Sequence, residues 1–402
     1  MLRNAALRCL LIAAGIAAAG YSLLLARAAY LFDKNTPASV KEAAELVPYN
    51  SRYLARLSVW SPEQREELLE RATALNPFDS ESWIQLGVIS EFGREDLQTA
   101  ERYYLKAEAV DHMFLPKWTL TNFYFRRQNE TKFFHWANEA MAITPYTPDP
   151  VFTQMWQMTQ DAAKIAAAIP DRPRVLLQYA SFLSSTNRFQ AIPSVVQRLT
   201  RTVGADDPHA WGRDDLLAGI EDRLLAAGEL DPALHVWATL RQANWIHESV
   251  PAAASPLTNG NFSMRSYDHG FDWVVVSTPG VAIDQFPDEK QLRITFSGQQ
   301  PEQCEVLRQY IPVEPGGEYG MHWEATTDRV NAPSGLAWHL GCAGGTLVSG
   351  DLLDGIEGAW HFSAPDTKLC VLTLDYARPP GMMQVSGTVT LHSVSITPSN
   401  RR

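Results

Sequence analysis

The chain changes its hydrophobic rhythm twice. It opens on an uninterrupted apolar block, continues in stretches whose apolar residues recur every three to four positions, and ends in stretches that alternate apolar with polar. These three patterns predict a long apolar helix, a series of amphipathic helices and a set of half-buried strands. The opening block, Cys9 to Ala26, holds 18 uncharged residues with Tyr21 as its only aromatic. As a helix at ~1.5 Å per residue it spans roughly 27 Å, close to the hydrocarbon thickness of a bilayer. Arg3 and Arg8 precede it, and Arg27 and the mixed pair Asp33/Lys34 follow. That asymmetry predicts a cytoplasmic N-terminus with the bulk of the chain on the far side of the membrane. An uncleaved anchor fits the length; a cleaved signal peptide is the alternative, with Ala26-Arg27-Ala28 as the cleavage site.

Glycine separates the rest of the chain into two parts. Of 24 glycines, 16 fall after residue 255, about three times the density of the first part. Glycine serves turns and disfavours helix interiors, so the change predicts a helical region followed by an all-β region. Val250-Pro-Ala-Ala-Ala-Ser-Pro256 reads as the linker. The expected domains are an anchor or signal segment at 1–35, helical repeats at 36–249, a linker at 250–256 and a β-sandwich at 257–398.

The helical part repeats. Ala72-Thr-Ala-Leu-Asn-Pro77, Ala107-Glu-Ala-Val-Asp-His112 and Ala140-Met-Ala-Ile-Thr-Pro145 align at spacings of 35 and 33 residues, and Trp83, Trp118 and Phe152 open the helix after each. Trp83-Ile-Gln-Leu86-Gly87 has the W-x2-L-G start of a tetratricopeptide repeat, and Ala100, Tyr104 and Ala107 fit its second helix, as do Phe133, Ala137 and Ala140. The segment 62–160 therefore resembles the tetratricopeptide family, with departures at Asn122, where glycine is expected, and His112, where proline is expected. Helical periodicity continues through Val175–Leu183, Ala191–Thr202, Asp214–Ala227 and Pro232–Ala243, where Ala233, Trp237 and Leu240 again fit the second-helix positions. The resemblance implies a solenoid that binds partner proteins, with Gln85, Asn122, Tyr124 and Arg126 as candidate contact residues and an ordinary solvated face as the alternative for each.

Alternation marks the strands: Gln291–Phe296, Leu336–Leu340, Leu369–Leu374 and Val385–Ile396, with glycine- and proline-rich turns between them. Such spacing predicts an antiparallel sandwich. Leu257-Thr-Asn259-Gly260-Asn-Phe262 with Gly270-Phe271-Asp-Trp273, and Leu307-Arg-Gln309-Tyr-Ile-Pro-Val313 with the following Pro-Gly and Tyr319, resemble family 4/9-like carbohydrate-binding modules and other galactose-binding-like jelly rolls. The complete fold class is thus multidomain α + β: an N-terminal transmembrane helix, a tetratricopeptide-like α-solenoid and a C-terminal antiparallel jelly roll. A sugar site needs an exposed aromatic face and nearby polar groups. Trp273, Trp338 and Trp360 are candidate platforms, with Asp272, Arg308, His339 and Asp375 as hydroxyl partners; a core role is the alternative for each tryptophan. Related sandwiches carry a structural calcium, but no ligand set for it is legible, and no metal or cofactor is assigned. Cys304, Cys342 and Cys370 lie in this part, and Cys342 with Cys370 is the candidate disulfide, against buried free thiols.

Charge and motifs narrow the role. The net charge of −11, with 34 basic and 45 acidic residues, argues against a nucleic-acid binder. No HExxH, GxSxG, Walker or GxGxxG signature occurs. The acidic residues Asp351, Asp354 and Glu357 share one loop, and nothing pairs them across a cleft as glycoside hydrolysis requires. The expectation is a non-catalytic scaffold in the bacterial inner membrane, facing the extracytoplasmic side. It would hold envelope proteins through its repeats and a polysaccharide through its sandwich, in polysaccharide assembly or export. A pure protein-interaction scaffold and a glycoside hydrolase are the alternatives.

Overall fold

The computed structural model describes residues 2–203, 213–330, 332–343, 345–353 and 357–399. It divides into two compact units that meet between Pro170 and Asp171. The second unit therefore contains four helices as well as the strands. The change from helix to strand falls around residues 250–256, and the division into compact units falls some eighty residues earlier.

Unit 1 holds ten helices among the described residues: α1 (Leu2–Asp33), α2 (Pro37–Leu46), α3 (Ser51–Trp60), α4 (Arg65–Leu75), α5 (Ser80–Val88), α6 (Leu97–Val110), α7 (Phe114–Arg126), α8 (Glu130–Ile143), α9 (Asp149–Met158) and α10 (Ala162–Ala168). Short polar residues start them. Thr36, Asn50, Asp79, Asp96, Asn129 and Asp161 each accept a backbone N–H of the first turn, satisfying donors that the helix leaves free. The helices pack as successive hairpins, and the repeat template explains why. Ala100, Ala107, Ala137 and Ala140 are fully buried, and Tyr104 and Phe133 fill the space that these small residues leave. Gly87 is part of the same fit. A Cβ there would lie 2.4 Å from the Tyr104 ring, so only glycine lets α5 approach α6. A single π-turn, Ile89–Gly93, follows α5 and carries Glu91 into the interior.

The last turns of α1 belong to this packing. Ala28 and Leu31 are buried in one cluster with Ala43, Ala44, Val47, Leu54 and Ala72, while Leu10 to Leu23 are exposed. Among the described residues, Leu10–Asp33 is the one helix long and apolar enough to cross a membrane.

Unit 2 begins with α11 (Pro173–Ser185), α12 (Ile192–Val203), α13 (Arg213–Ala226) and α14 (Leu230–Gln242). Ten strands follow: β1 (Val274–Val275), β2 (Val281–Phe286), β3 (Gln291–Ser297), β4 (Gln303–Pro312), β5 (Glu318–Asp328), β6 (Leu336–Cys342), β7 (Gly345–Asp351), β8 (Glu357–Ser363), β9 (Leu369–Ala377) and β10 (Ser386–Pro398). They form two five-stranded sheets, β1-β4-β9-β6-β7 and β2-β3-β10-β5-β8, with antiparallel pairing throughout. Alternate residues, among them Leu292, Ile294, Phe296, Leu336, Leu340, Leu372, Leu374 and Leu391, face each other between the sheets as the core.

The helices of unit 2 are clamped to the sandwich by the segment before β1. Asp222 of α13 accepts from the Gly270 N–H at 2.9 Å and meets His269 Nδ1 at 2.7 Å. Trp237 of α14 is fully buried, with its ring 5.8 Å from Phe271 and 6.1 Å from Tyr267. Gly270, at φ +64°, passes so close that a Cβ would lie 2.4 Å from the Trp237 ring.

Candidate functional site

Arg308, His339 and Asp375 meet on the outer face of the sheet β1-β4-β9-β6-β7. Arg308 of β4 pairs across Thr373 of β9 to His339 of β6, which places the three side by side on three neighbouring strands. Asp375 lies two residues along β9, on the same face. Its Oδ2 lies 3.4 Å from His339 Nδ1 and accepts the Thr373 hydroxyl at 3.0 Å. Arg308 reaches Glu305 at 3.6 Å. Glu305 stands directly opposite Asp375 in the register, and burial, with the nearby Asp375 charge, raises its carboxyl above the usual range against the pull of Arg308.

A β-bulge builds this cluster. The register of β4 slips between Glu305 and Leu307, so Val306 and Leu307 are both fully buried and Glu305 and Arg308 both point outward. Strict alternation puts two residues three apart on opposite faces, so the sequence pattern conceals Glu305 as the neighbour of Arg308. Tyr310 and Thr373 likewise carry no pattern in the sequence that marks them. Tyr310, Gly341 and Val371 continue the same face into a cleft of about 540 Å³, whose other wall is the α13–α14 turn with Glu229, Asp231 and Pro232. Burial raises the Tyr310 hydroxyl above its ordinary value, so it stays a neutral donor beside the cleft.

The remaining sugar-site candidates lie elsewhere. Trp273 and Trp338 are fully buried, with rings 6.1 Å apart in the middle of the sandwich core. Neither has a free face, so the reading of these two as stacking platforms is corrected: their large apolar surfaces fill the space between the sheets. Trp360 is half-buried in the opposite sheet, 4.9 Å from the Phe362 ring, and shares no surface with Arg308. Asp272 is also corrected. It has no exposure, accepts the Tyr267 N–H at 2.6 Å, and is pushed up to about 6 by burial. It braces the segment before β1.

The repeat candidates also separate. Gln85 accepts from Arg65 at 2.6 Å and lines a groove of about 980 Å³ together with Arg52, Arg56 and Phe78. Asn122 donates to the Trp118 carbonyl and accepts from Gln154 of the next hairpin at 2.8 Å. Tyr124 is buried and donates to Glu101 at 2.7 Å. Arg126 holds Glu91 through two hydrogen bonds of 2.8 Å, and the same carboxylate accepts the Tyr104 hydroxyl at 2.8 Å. Tyr124 and Arg126 thus tie one hairpin to its neighbour. Reading Tyr124 as a free contact residue is corrected, because a buried hydroxyl without such a partner costs stability, while Arg126 holds Glu91 with its side chain still 39% exposed.

No family model and no curated protein matches the chain. Among solved structures it is similar to the Pseudomonas aeruginosa protein pilF, at 16% identity over 48% of this chain and 91% of that one, with a TM-score of 0.26. It is also similar to the C-terminal part of a TPR repeat-containing protein from Cytophaga hutchinsonii, at 15% identity over 55% and 95%, TM-score 0.30. A third likeness is to BiXyn10A CBM1 in its apo form, at 16% identity over 35% and 95%, TM-score 0.22.

Cys342 and Cys370 are direct cross-strand neighbours on β6 and β9 and form a disulfide, while Cys304 is free and half-buried. Among the described residues no group of three His, Cys, Asp or Glu is placed to hold a metal. Both oxygens of Asp351 are engaged, by Ser334 at 2.8 Å, the Gly335 N–H at 2.9 Å and the Leu353 N–H at 3.0 Å. Asp354 and the side chain of Glu357 lie outside the described residues.

Proposed function

We propose that this protein is a non-catalytic scaffold of a bacterial envelope. It is tethered in the inner membrane by α1, with its bulk on the extracytoplasmic side. Its helical hairpins hold partner proteins, and the outer face of the sheet β1-β4-β9-β6-β7 holds a polysaccharide during assembly or export. The observation that carries the sugar reading is the convergence of Arg308, Thr373, His339 and Asp375 on one open face that runs past Tyr310 into a cleft. These groups give donors and acceptors at hydroxyl spacing, with one aromatic ring beside them. The Cys342–Cys370 bond supports an oxidising compartment. A glycan array probed with the full chain in detergent tests this reading: binding of a polysaccharide class is expected, and silence across the array removes the sugar half.

Burial of Trp273 and Trp338 favours a second reading, in which the same face docks an envelope protein and no sugar. Pull-down from membranes with the Arg308→Ala variant separates the two. On the second reading a protein partner is lost, and on the first a glycan. A hydrolase would rest on the facing pair Glu305 and Asp375, and turnover of a bound glycan that ceases in Glu305→Gln would establish it.

A further inference from the structure

One end of unit 1 carries a property that repeat packing does not require. Helices joined by short turns run antiparallel to their neighbours, so the turns α2–α3, α4–α5, α6–α7 and α8–α9 share one end of the stack. Contacts between the turns agree. Ser80 donates to Asp111 at 2.8 Å, joining α4–α5 to α6–α7, and the rings of Phe114 and Tyr146 lie 6.1 Å apart, joining α6–α7 to α8–α9. Each of these four turns holds a large apolar side chain out in solvent: Tyr49 at 63%, Phe78 at 76%, Met113 at 70% and Tyr146 at 68% exposure, with Leu75 and Leu115 beside them. The opposite turns, 34–36, 61–64, 94–96 and 127–129, consist of polar residues and one proline. The exposed rings near them are each covered by a cation: Phe92 lies under the Arg126 guanidinium at 5.2 Å, and Tyr30 lies under the Lys34 ammonium at 4.5 Å.

The apolar half of α1 leaves unit 1 from the end that bears these side chains. α1 is a single unbroken helix, and its last turns are the first helix of the first hairpin, with Ala28 and Leu31 in the repeat core. No flexible linker intervenes. Ala26, the last residue of the uncharged run, is only about 10 Å along the helix from Asp33 at the far end, less than the ~15 Å length of the ten-residue α2 packed beside it, so the uncharged run already begins within the stack and leaves it without a spacer. The headgroup layer on each side of the hydrocarbon is itself roughly 5–7 Å deep. A bilayer crossed by α1 therefore lies directly beneath the exposed side chains.

We propose that unit 1 docks end-on against the phospholipid surface, with Tyr49, Phe78, Met113 and Tyr146 seated among the headgroups. The proposal rests on the reading of α1 as a membrane span. It goes beyond tethering, because it fixes the orientation of the repeats and withdraws that end from protein partners. The carboxylates in these turns are turned to their own chain: Asp79 to Ser82, and Asp111 to Ser80 and the Met113 N–H. His112 of the α6–α7 turn is set against Glu108 at 3.0 Å, so the contact of these turns is apolar, needs no anionic lipid, and survives high salt.

The test uses the full chain with Cys9→Ser and Cys304→Ser, reconstituted into phosphatidylcholine vesicles. A single Phe78→Cys, Tyr146→Cys or Phe92→Cys carries an environment-sensitive fluorophore. The expected result is blue-shifted emission and loss of quenching by aqueous iodide at 78 and 146, unchanged in high salt, with the label at 92 fully quenched. Equal aqueous quenching at all three positions overturns the docking. Extraction at alkaline pH reads the span separately. A chain released from the vesicles removes the span and the proposal together, whereas a chain retained with water-exposed labels at 78 and 146 removes the docking alone.

Discussion

The polar candidates of unit 1 and those of the sandwich were chosen on the same grounds, yet the two regions use them in opposite ways. In the helical hairpins, Tyr124 and Arg126 are consumed by Glu101 and Glu91, so that their chemistry holds hairpin to hairpin. On the sandwich, Arg308, His339 and Asp375 share one face with looser partners: His339 lies 3.4 Å from Asp375, and Arg308 lies 3.6 Å from Glu305. A stack of antiparallel helices buries one side of each helix against a neighbour, so a polar residue near the seam must find a partner there. A sheet leaves the part of its outer face that no helix covers to solvent, and polar residues can collect there without a structural task. The difference predicts where substitution damages folding and where it damages only binding.

The largest expected effect is in the sandwich core. Trp338→Ala removes a fully buried indole and lowers stability by about 3–5 kcal/mol, read as a shift in the denaturant midpoint of unit 2. Survival of the variant at the wild-type midpoint breaks the assignment of Trp338 to the core. The next effect depends on pH. Burial raises Asp272 from 3.8 to about 6, so the folded state holds a proton that the unfolded chain releases. That stabilisation is fully present below about pH 4 and is lost as pH rises through about 6. Relative to Asp272→Asn, wild type should therefore lose about 2–3 kcal/mol between those limits. Parallel stability curves for the two proteins contradict the buried, proton-holding role.

A third test sits in unit 1. Glu91→Ala strands the Tyr104 hydroxyl and the Arg126 guanidinium together and costs about 2–3 kcal/mol by thermal unfolding. A neutral outcome would return Arg126 to the pool of free contact residues. Smallest in stability is Arg308→Ala, expected within about 0.5 kcal/mol of wild type because its side chain is half-exposed and its one ion pair is long.

Much of the architecture was legible from the order of residues. The small-and-aromatic template around Ala100, Tyr104 and Ala107 is local, since helix spacing alone puts those side chains on one face, and they are buried in the structure. Alternation marked β3, β6, β9 and β10 for the same reason. The site was less legible because it depends on a register that alternation does not carry. The slip at Glu305–Leu307 moves Glu305 beside Arg308, and the clamp from Asp222 to Gly270 brings a helical turn to the edge of a sheet face some eighty residues further along the chain. The tryptophans misled for a related reason. An aromatic in an alternating strand is equally a platform or a core residue until its facing sheet is known.

The most direct test of the central claim is polysaccharide binding by the full chain carrying Arg308→Ala and Asp375→Ala together, beside wild type, with unfolding midpoints measured on the same samples. The account predicts a wild type that binds and a double variant that has lost binding at an unchanged midpoint. Binding that is undiminished in the double variant, or absent from a folded wild type, contradicts it.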